Sequence, residues 1–188
     1  MVNERVSDQN VEAKGHQPMR EYSHGEELIN NVPYTAMIVL GTVILAVGVG
    51  HPIWRWTCAG LYLMYGVAGA FWIIIFMCPY CRYWNTRACP CGYGRIAGKL
   101  RERKAEDCFN EKFKKHIPVI VPLWFIPVLA GVFLVVCSFS WPLLVLLVVF
   151  ALDAFVVLPL VSTKHGCKEC PQRDTCPWMK GKHKSATT

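Results

Sequence analysis

Charged residues are scarce in this sequence: they make up 18% of its 188 residues, whereas 53% of the residues are hydrophobic. The apolar residues do not follow the amphipathic pattern of helices that cover a soluble core. They fall into four blocks of roughly 17–25 residues, the length of helix that spans a bilayer. The four predicted spans are 34–50, 53–77, 117–139 and 141–161. The sequence therefore predicts an all-α integral membrane protein with four transmembrane helices.

The polar segment before the first span lacks the apolar h-region of a secretory signal, so we expect no cleaved signal peptide. The links between spans one and two and between spans three and four are very short, which predicts two antiparallel hairpins. The middle loop is also expected to contain a helix, between Gly94 and His116, that lies in the membrane interface. The predicted organisation is a polar and weakly ordered arm (1–33), a first hairpin (34–77), a Cys-rich loop with the interfacial helix (78–116), a second hairpin (117–161) and a Cys-rich tail (162–188).

Basic residues are almost absent from the two hairpin turns. Of the 20 Lys and Arg residues, all but Arg55 lie in the arm, the middle loop or the tail. The positive-inside rule then predicts a multi-pass protein of a prokaryotic cytoplasmic (inner) membrane with both termini in the cytoplasm. We attribute the net charge of +7 to this topology and to attraction by anionic lipid head groups. No nucleic-acid motif interrupts the basic residues, so nucleic acid is not an expected partner.

Several cofactor motifs are also missing. No histidine lies in the middle of a predicted span and no C-x-x-C-H motif occurs, so no haem is expected. No glycine-rich phosphate loop follows a strand, and no serine, histidine and acid grouping can be identified. Cysteine is the remaining residue type that could bind a cofactor or take part in a reaction.

Ten cysteines are present. Cys58 and Cys137 lie in the spans, where we interpret them as small apolar fillers, with a disulfide between them as the alternative. The loop has the spacing C-x2-C-x7-C-P and the tail has C-x2-C-x5-C-P, which predicts a duplicated plan with a pseudo-two-fold axis along the membrane normal. The eight candidate ligands are Cys78, Cys81, Cys89, Cys91, Cys108, Cys167, Cys170 and Cys176.

Eight clustered thiols in a reducing compartment are typical of metal ligands rather than of disulfides. Eight is twice four, the number of ligands that a zinc ion or a four-iron cluster takes. One predicted site takes four loop cysteines: Cys78, Cys81, Cys89 and Cys91. The other joins the three tail cysteines to Cys108, with His165 and His183 as reserve ligands. In the alternative arrangement each site takes ligands from both segments.

Four of the eight cysteines precede proline, which is frequent in ferredoxin-like segments. We therefore expect two [4Fe-4S] clusters. The alternatives are a single cluster, structural zinc and thiol redox chemistry without metal. Zinc is favoured by Cys91-Gly92, which resembles the tight turn of a zinc knuckle.

The layout resembles the polytopic iron–sulfur quinol dehydrogenase subunits of the periplasmic nitrate reductase system. The resemblance lies in the four spans and in boundary cysteines at Cys78, Cys81, Cys89, Cys167, Cys170 and Cys176. It implies that ferredoxin-type clusters at the membrane boundary pass quinol electrons onward. This sequence differs from a complete ferredoxin motif because it has no C-x2-C-x2-C-x3-C-P run.

Asp153 lies within the fourth predicted span, where a carboxylate needs a partner or a bound proton. We expect it to relay protons or to contact a quinone. The alternative is a buried staple between helices, for example a hydrogen bond with Tyr62 or Tyr65.

The leading prediction is a membrane-anchored iron–sulfur electron-transfer protein that links a cytoplasmic redox partner to the quinone pool. In this role the chain serves as a subunit of a quinone-linked oxidoreductase, and the sequence leaves open whether it is itself an enzyme. The alternatives are a membrane scaffold or assembly factor with structural zinc and a thiol-based metal carrier.

Overall fold

The computed structural model describes residues 20–166 and Cys170. Every regular element in this part of the chain is helical, and no strand occurs within it. Four stretches are long and apolar enough to cross a membrane: His24–Gly48, Pro52–Tyr80, Glu106–Cys137 and Trp141–Lys164. The prediction of an all-helical protein with four helices capable of spanning a membrane is confirmed.

Seven α-helices are named in chain order. They are α1 (His24–Gly48), α2 (Pro52–Phe76), α3 (Tyr93–Leu100), α4 (Phe109–His116), α5 (Pro122–Cys137), α6 (Trp141–Leu152) and α7 (Leu158–Val161). Short 3-10 turns occupy Cys78–Tyr80, Glu106–Cys108 and Ile117–Val119. Two π-helical segments, Asp153–Val157 and Ser162–Gly166, flank α7.

Helix α1 begins ten residues before the predicted span. Ser23 is its N-cap: the Ser23 hydroxyl accepts a hydrogen bond from the Glu26 N–H, and the Glu26 carboxylate accepts one from the Ser23 N–H. This reciprocal pair is a capping box, which satisfies amide groups that the first helical turn leaves unpaired. Residues 24–33, predicted as part of a weakly ordered arm, are therefore helical, and residues 1–19 lie outside the described part.

The predicted helix between Gly94 and His116 is two helices, α3 and α4, separated by residues 101–108. Arg101 ends α3 in an extended conformation. Its carbonyl accepts a hydrogen bond from Trp84 Nε1 at 3.1 Å, and the Lys104 N–H donates to the Pro79 carbonyl at 2.9 Å. These bonds fold the break back onto the segment that follows α2.

Helix α1 lies at the centre of the bundle and packs against α2, α5 and α6. Gly41 permits a close approach to α2, since a Cβ atom at this position would lie only 2.5 Å from the Tyr62 ring. The core between these helices contains fully buried side chains, among them Met37, Ile44 and Phe150.

The outward faces of the long helices are also apolar. Val136 of α5 is 79% exposed and Trp141 of α6 is 69% exposed. Apolar exposure on this scale is unfavourable in water and is suited to a lipid bilayer, where the backbone groups are already paired within the helices. The molecule is therefore an apolar helical bundle fitted to a membrane.

The last span changes its helical pitch at Asp153. The N–H of Leu158 donates to the Asp153 carbonyl, five residues earlier. Pro159 has no N–H, and its ring would crowd the carbonyl four residues before it in an α-helix. A widened π turn relieves this conflict, and such turns often occur at functional positions.

Candidate metal centre

The first C-x2-C pair lies where α2 ends. Cys78 opens the 3-10 turn, and the Cys81 N–H donates to the Cys78 carbonyl at 3.1 Å. The Trp84 N–H then bonds to the Cys81 carbonyl at 3.0 Å. Successive tight turns keep the two cysteines next to each other at the end of the bundle that carries residues 78–116, here called the loop end.

The second pair belongs to a turn formed by Cys89, Pro90, Cys91 and Gly92. The Gly92 N–H bonds to the Cys89 carbonyl at 3.1 Å, and Gly92 has a left-handed φ of 72°. The Gly94 N–H then donates to Cys89 Sγ at 3.3 Å. This backbone-to-sulfur bond is of the kind that orients a thiolate ligand.

Gly94 also lets the loop close on itself. A Cβ atom at this position would lie 2.2 Å from the Tyr83 carbonyl oxygen. The Asn85 N–H donates to the Gly94 carbonyl at 3.0 Å, with Asn85 at a φ of 54°. The two halves of the cysteine loop are therefore joined by backbone contact.

The N-terminal part of α1 contacts the same turn. Asn30 Nδ2 donates to the Pro90 carbonyl and Asn31 Nδ2 donates to the Cys91 carbonyl, both at 3.0 Å. Glu27 is 8% exposed and accepts hydrogen bonds from Arg95 on both carboxylate oxygens. Sequence reasoning missed these contacts, although Ser23 and Glu26 carry the S-x-x-E signature of a helix that starts before the apolar run.

The structure brings cysteines of both segments together. The charge of a Cys78 thiolate would interact with those of Cys81, Cys89 and Cys91. Cys81 also interacts with Cys170 of the tail, and Tyr83 makes a side-chain hydrogen bond with Cys170. Five of the eight candidate ligands therefore lie within electrostatic range of at least one other candidate ligand.

The surroundings of these cysteines favour protonated thiols when no cation is bound. Burial raises the pKa of the Cys81 thiol to about 12; a hydrogen bond from the Tyr83 backbone lowers it, and the nearby Cys170 and Cys89 raise it. Burial likewise raises the pKa of the Tyr83 and Tyr93 hydroxyls, and neighbouring cysteines add to both shifts. A metal ion would compensate the clustered negative charge by displacing these protons.

The cysteine side chains suit a metal that binds thiolates. Among the residues that the structure describes, however, their sulfur atoms do not lie close enough together to coordinate one ion. Within residues 20–166 and Cys170, no three His, Cys, Asp or Glu side chains form a group that could hold a metal ion as they stand. Several cysteines of the loop are nevertheless partly buried and close enough for their charges to interact, and soft sulfur ligands select zinc and iron–sulfur clusters. Binding would require these side chains to move together.

The remaining candidate ligands are only partly placed. Cys108 closes the 3-10 turn Glu106–Cys108, which packs against the turn Cys78–Tyr80. His165 lies in the π-helical segment Ser162–Gly166, and the position of its side chain is outside the description. Cys167, Cys176 and His183 lie outside the described residues.

The two cysteines of the spans stand apart from this group. No disulfide joins Cys58 to Cys137 in the structure. Cys58 packs against the hydrophobic core, which agrees with its interpretation as an apolar filler.

Asp153 is not joined to either tyrosine considered as its partner. Tyr62 donates to the Leu123 carbonyl at 2.9 Å, and Tyr65 donates to the Val119 carbonyl. Asp153 Oδ2 is buried and has no hydrogen-bond partner among the described residues. The proposed tyrosine staple is therefore wrong for these two residues, and the carboxylate stands at the start of the π segment with an unsatisfied oxygen.

Comparison with known proteins gives no relative: no protein-family model, curated protein or solved structure matches this chain.

Proposed function

We propose that this chain is a membrane-anchored iron–sulfur protein that transfers electrons between a redox partner at the cytoplasmic surface and the membrane quinone pool. One observation carries the proposal: loop cysteines lie at one end of a four-helix apolar bundle, where the charge of Cys81 interacts with that of Cys170 from the tail. Clustered thiols at a membrane boundary suit a redox cofactor that must be reached from both the bilayer and the aqueous side.

The ligands in this proposal are the eight cysteines outside the spans, which would hold two [4Fe-4S] clusters. The interaction between Cys81 and Cys170 favours the arrangement in which each site takes ligands from both segments. Clusters of this type supply one-electron transfer at potentials set by charge, hydrogen bonds to sulfur and exposure to solvent. The Gly94 N–H bonded to Cys89 Sγ is one such hydrogen bond.

The distribution of basic residues supports the membrane arrangement in this proposal. The helices cross a prokaryotic cytoplasmic membrane as two hairpins related by a pseudo-two-fold repeat, with both termini and the loop end in the cytoplasm. This is the layout in which the chain resembles the quinol dehydrogenase subunits of the periplasmic nitrate reductase system. Asp153, whose buried oxygen lacks a described partner, is the proposed proton relay for a bound quinone.

A second candidate, a membrane scaffold with structural zinc, is favoured by the turn at Cys91. Gly92 in the left-handed conformation and the Gly94 N–H donated to Cys89 Sγ make a compact turn of the kind that orients a thiolate ligand of zinc. Zinc has no redox chemistry, so this candidate predicts no electron transfer.

A reduction experiment tests the leading proposal. Anaerobically purified protein in lipid nanodiscs is mixed with a reduced quinol while the visible absorbance of the clusters is recorded. We expect the absorbance to bleach and to return when a soluble oxidant is added. A colourless protein that contains zinc would refute electron transfer and support the scaffold.

A further inference from the structure

The N-terminal part of α1 is built against the cysteine turn. Asn30 and Asn31 each donate a side-chain hydrogen bond to a carbonyl of that turn, Pro90 and Cys91 respectively. These bonds join residues 60 positions apart in the chain. A helix is a rigid support, so contacts of this kind fix the orientation of the peptide groups on both sides of Cys91.

A partly buried ion pair completes the contact between α1 and the loop. Arg95 is the third residue of α3, and its Nη2 bonds both oxygens of Glu27. The side chain of Glu27 is 10% exposed and that of Arg95 is 32% exposed. Removing Arg95 would leave the Glu27 carboxylate mostly buried without its partner, so the pair holds α1 and α3 together.

Gly92 makes this approach possible. A Cβ atom there would lie 3.2 Å from a Glu27 carboxylate oxygen, and the left-handed φ of 72° disfavours any other residue. The Glu27 carboxylate therefore lies directly over the turn that carries Cys89 and Cys91. This packing is more specific than a helix that only precedes a membrane span would need.

We infer that Glu27, Asn30 and Asn31 of α1 are positioning residues of the metal site, because they support the backbone of the Cys89–Cys91 turn, which carries two of the proposed ligands. The inference rests on the proposed function in so far as it requires the loop cysteines to bind metal. The residues act through the backbone of the turn and contact no metal themselves. Loss of such outer contacts typically weakens metal binding by about 10–100-fold.

The test uses the full chain, purified anaerobically with its metal. Asn31→Asp replaces the amide donor with a carboxylate that faces the Cys91 carbonyl, and Asn30→Asp does the same at Pro90. Asn31→Gln keeps an amide donor and serves as the conservative variant. Glu26→Gln is the matched control, because Glu26 lies about one helical turn before Asn30 in the same helix, its ion pair with Arg20 is exposed and glutamine preserves the capping box.

Two readouts are recorded: the rate of metal release to a chelator and the EPR spectrum of the reduced protein. We expect both aspartate variants to release metal about 10–100-fold faster with shifted EPR lines, Asn31→Gln to be intermediate, and Glu26→Gln to match the wild type. Unchanged release and unchanged spectra in both aspartate variants would overturn the inference and leave the proposed function intact. A wild-type protein that holds no metal would overturn both.

Discussion

At the scale of single residues, the Cys81 thiol has neighbours from both cysteine-rich segments. It interacts with Cys89 of the loop and with Cys170 of the tail, in a setting that raises its pKa to about 12. A partly buried thiol of this kind is a poor nucleophile in its neutral form and becomes a ligand when a cation displaces its proton. Cys81 is therefore the residue at which metal binding would connect the two segments.

Cys81→Ala is expected to lose most of the bound metal, because a four-coordinate site that lacks one thiolate has an open position. Metal content per protein, measured anaerobically, checks this expectation. Cys58→Ala is the control, since Cys58 packs against the bundle core, and its metal content should equal that of the wild type. Equal metal content in Cys81→Ala would remove Cys81 from the ligand set.

Asp153→Asn tests the proton relay. Asparagine keeps the size and polarity of the side chain but cannot take up a proton, so folding and metal content should be preserved while quinone-coupled turnover falls about 10²-fold or more. Turnover in nanodiscs and reduction by a soluble donor are measured on the same sample. If turnover persists in a correctly folded variant, Asp153 is not a relay.

At the scale of helices and turns, the cysteine loop depends on close backbone contact at Gly94. Gly94→Ala would place a Cβ atom 2.2 Å from the Tyr83 carbonyl oxygen. The loop must shift, at a cost of about 1–3 kcal/mol. We expect a lower unfolding midpoint in detergent, measured by circular dichroism, together with faster release of metal.

Gly60→Ala is the matched control for this change. Gly60 lies in α2, and a Cβ atom there would meet nothing within 4 Å. Alanine should leave stability unchanged or raise it by about 0.5–1 kcal/mol, since glycine is unfavourable inside a helix. A Gly94→Ala variant as stable as Gly60→Ala would contradict the packing described for the loop.

The long helices could be predicted from the sequence because hydropathy over 20 residues is a local property. The start of α1 at His24 and the break at residues 101–108 could not be read in this way. The start depends on the capping box of Ser23 and Glu26 and on contacts with the loop. The break depends on hydrogen bonds that Trp84 and Lys104 make with residues distant in sequence.

The candidate site also has contacts that the sequence predicts and contacts that it does not. C-x2-C spacing predicts that Cys78 and Cys81 lie together, since a tight turn is sufficient. The meeting of Cys81 with Cys170 and the bond from Asn31 to Cys91 join positions far apart in the chain. Such pairs are set by the packing of whole helices, which no local pattern in a single sequence records.

At the scale of the whole molecule, the account requires the loop end to face the cytoplasm. A reporter that is active only in the cytoplasm, fused after Thr188, should therefore be active, and a reporter that needs export should be silent. The physical reason is the excess of Lys and Arg at this end. Activity of the exported reporter would place the cysteines in an oxidising compartment, where disulfides become the expected state.

The central claim is that the cysteines at the loop end bind iron–sulfur clusters. The most direct measurement is iron and acid-labile sulfide content, together with EPR spectra, of the anaerobically purified full-length protein before and after reduction. The account predicts iron and sulfide in equal amounts and an EPR signal that appears on reduction. Protein that contains zinc or no metal, and that gives no EPR signal, would contradict it.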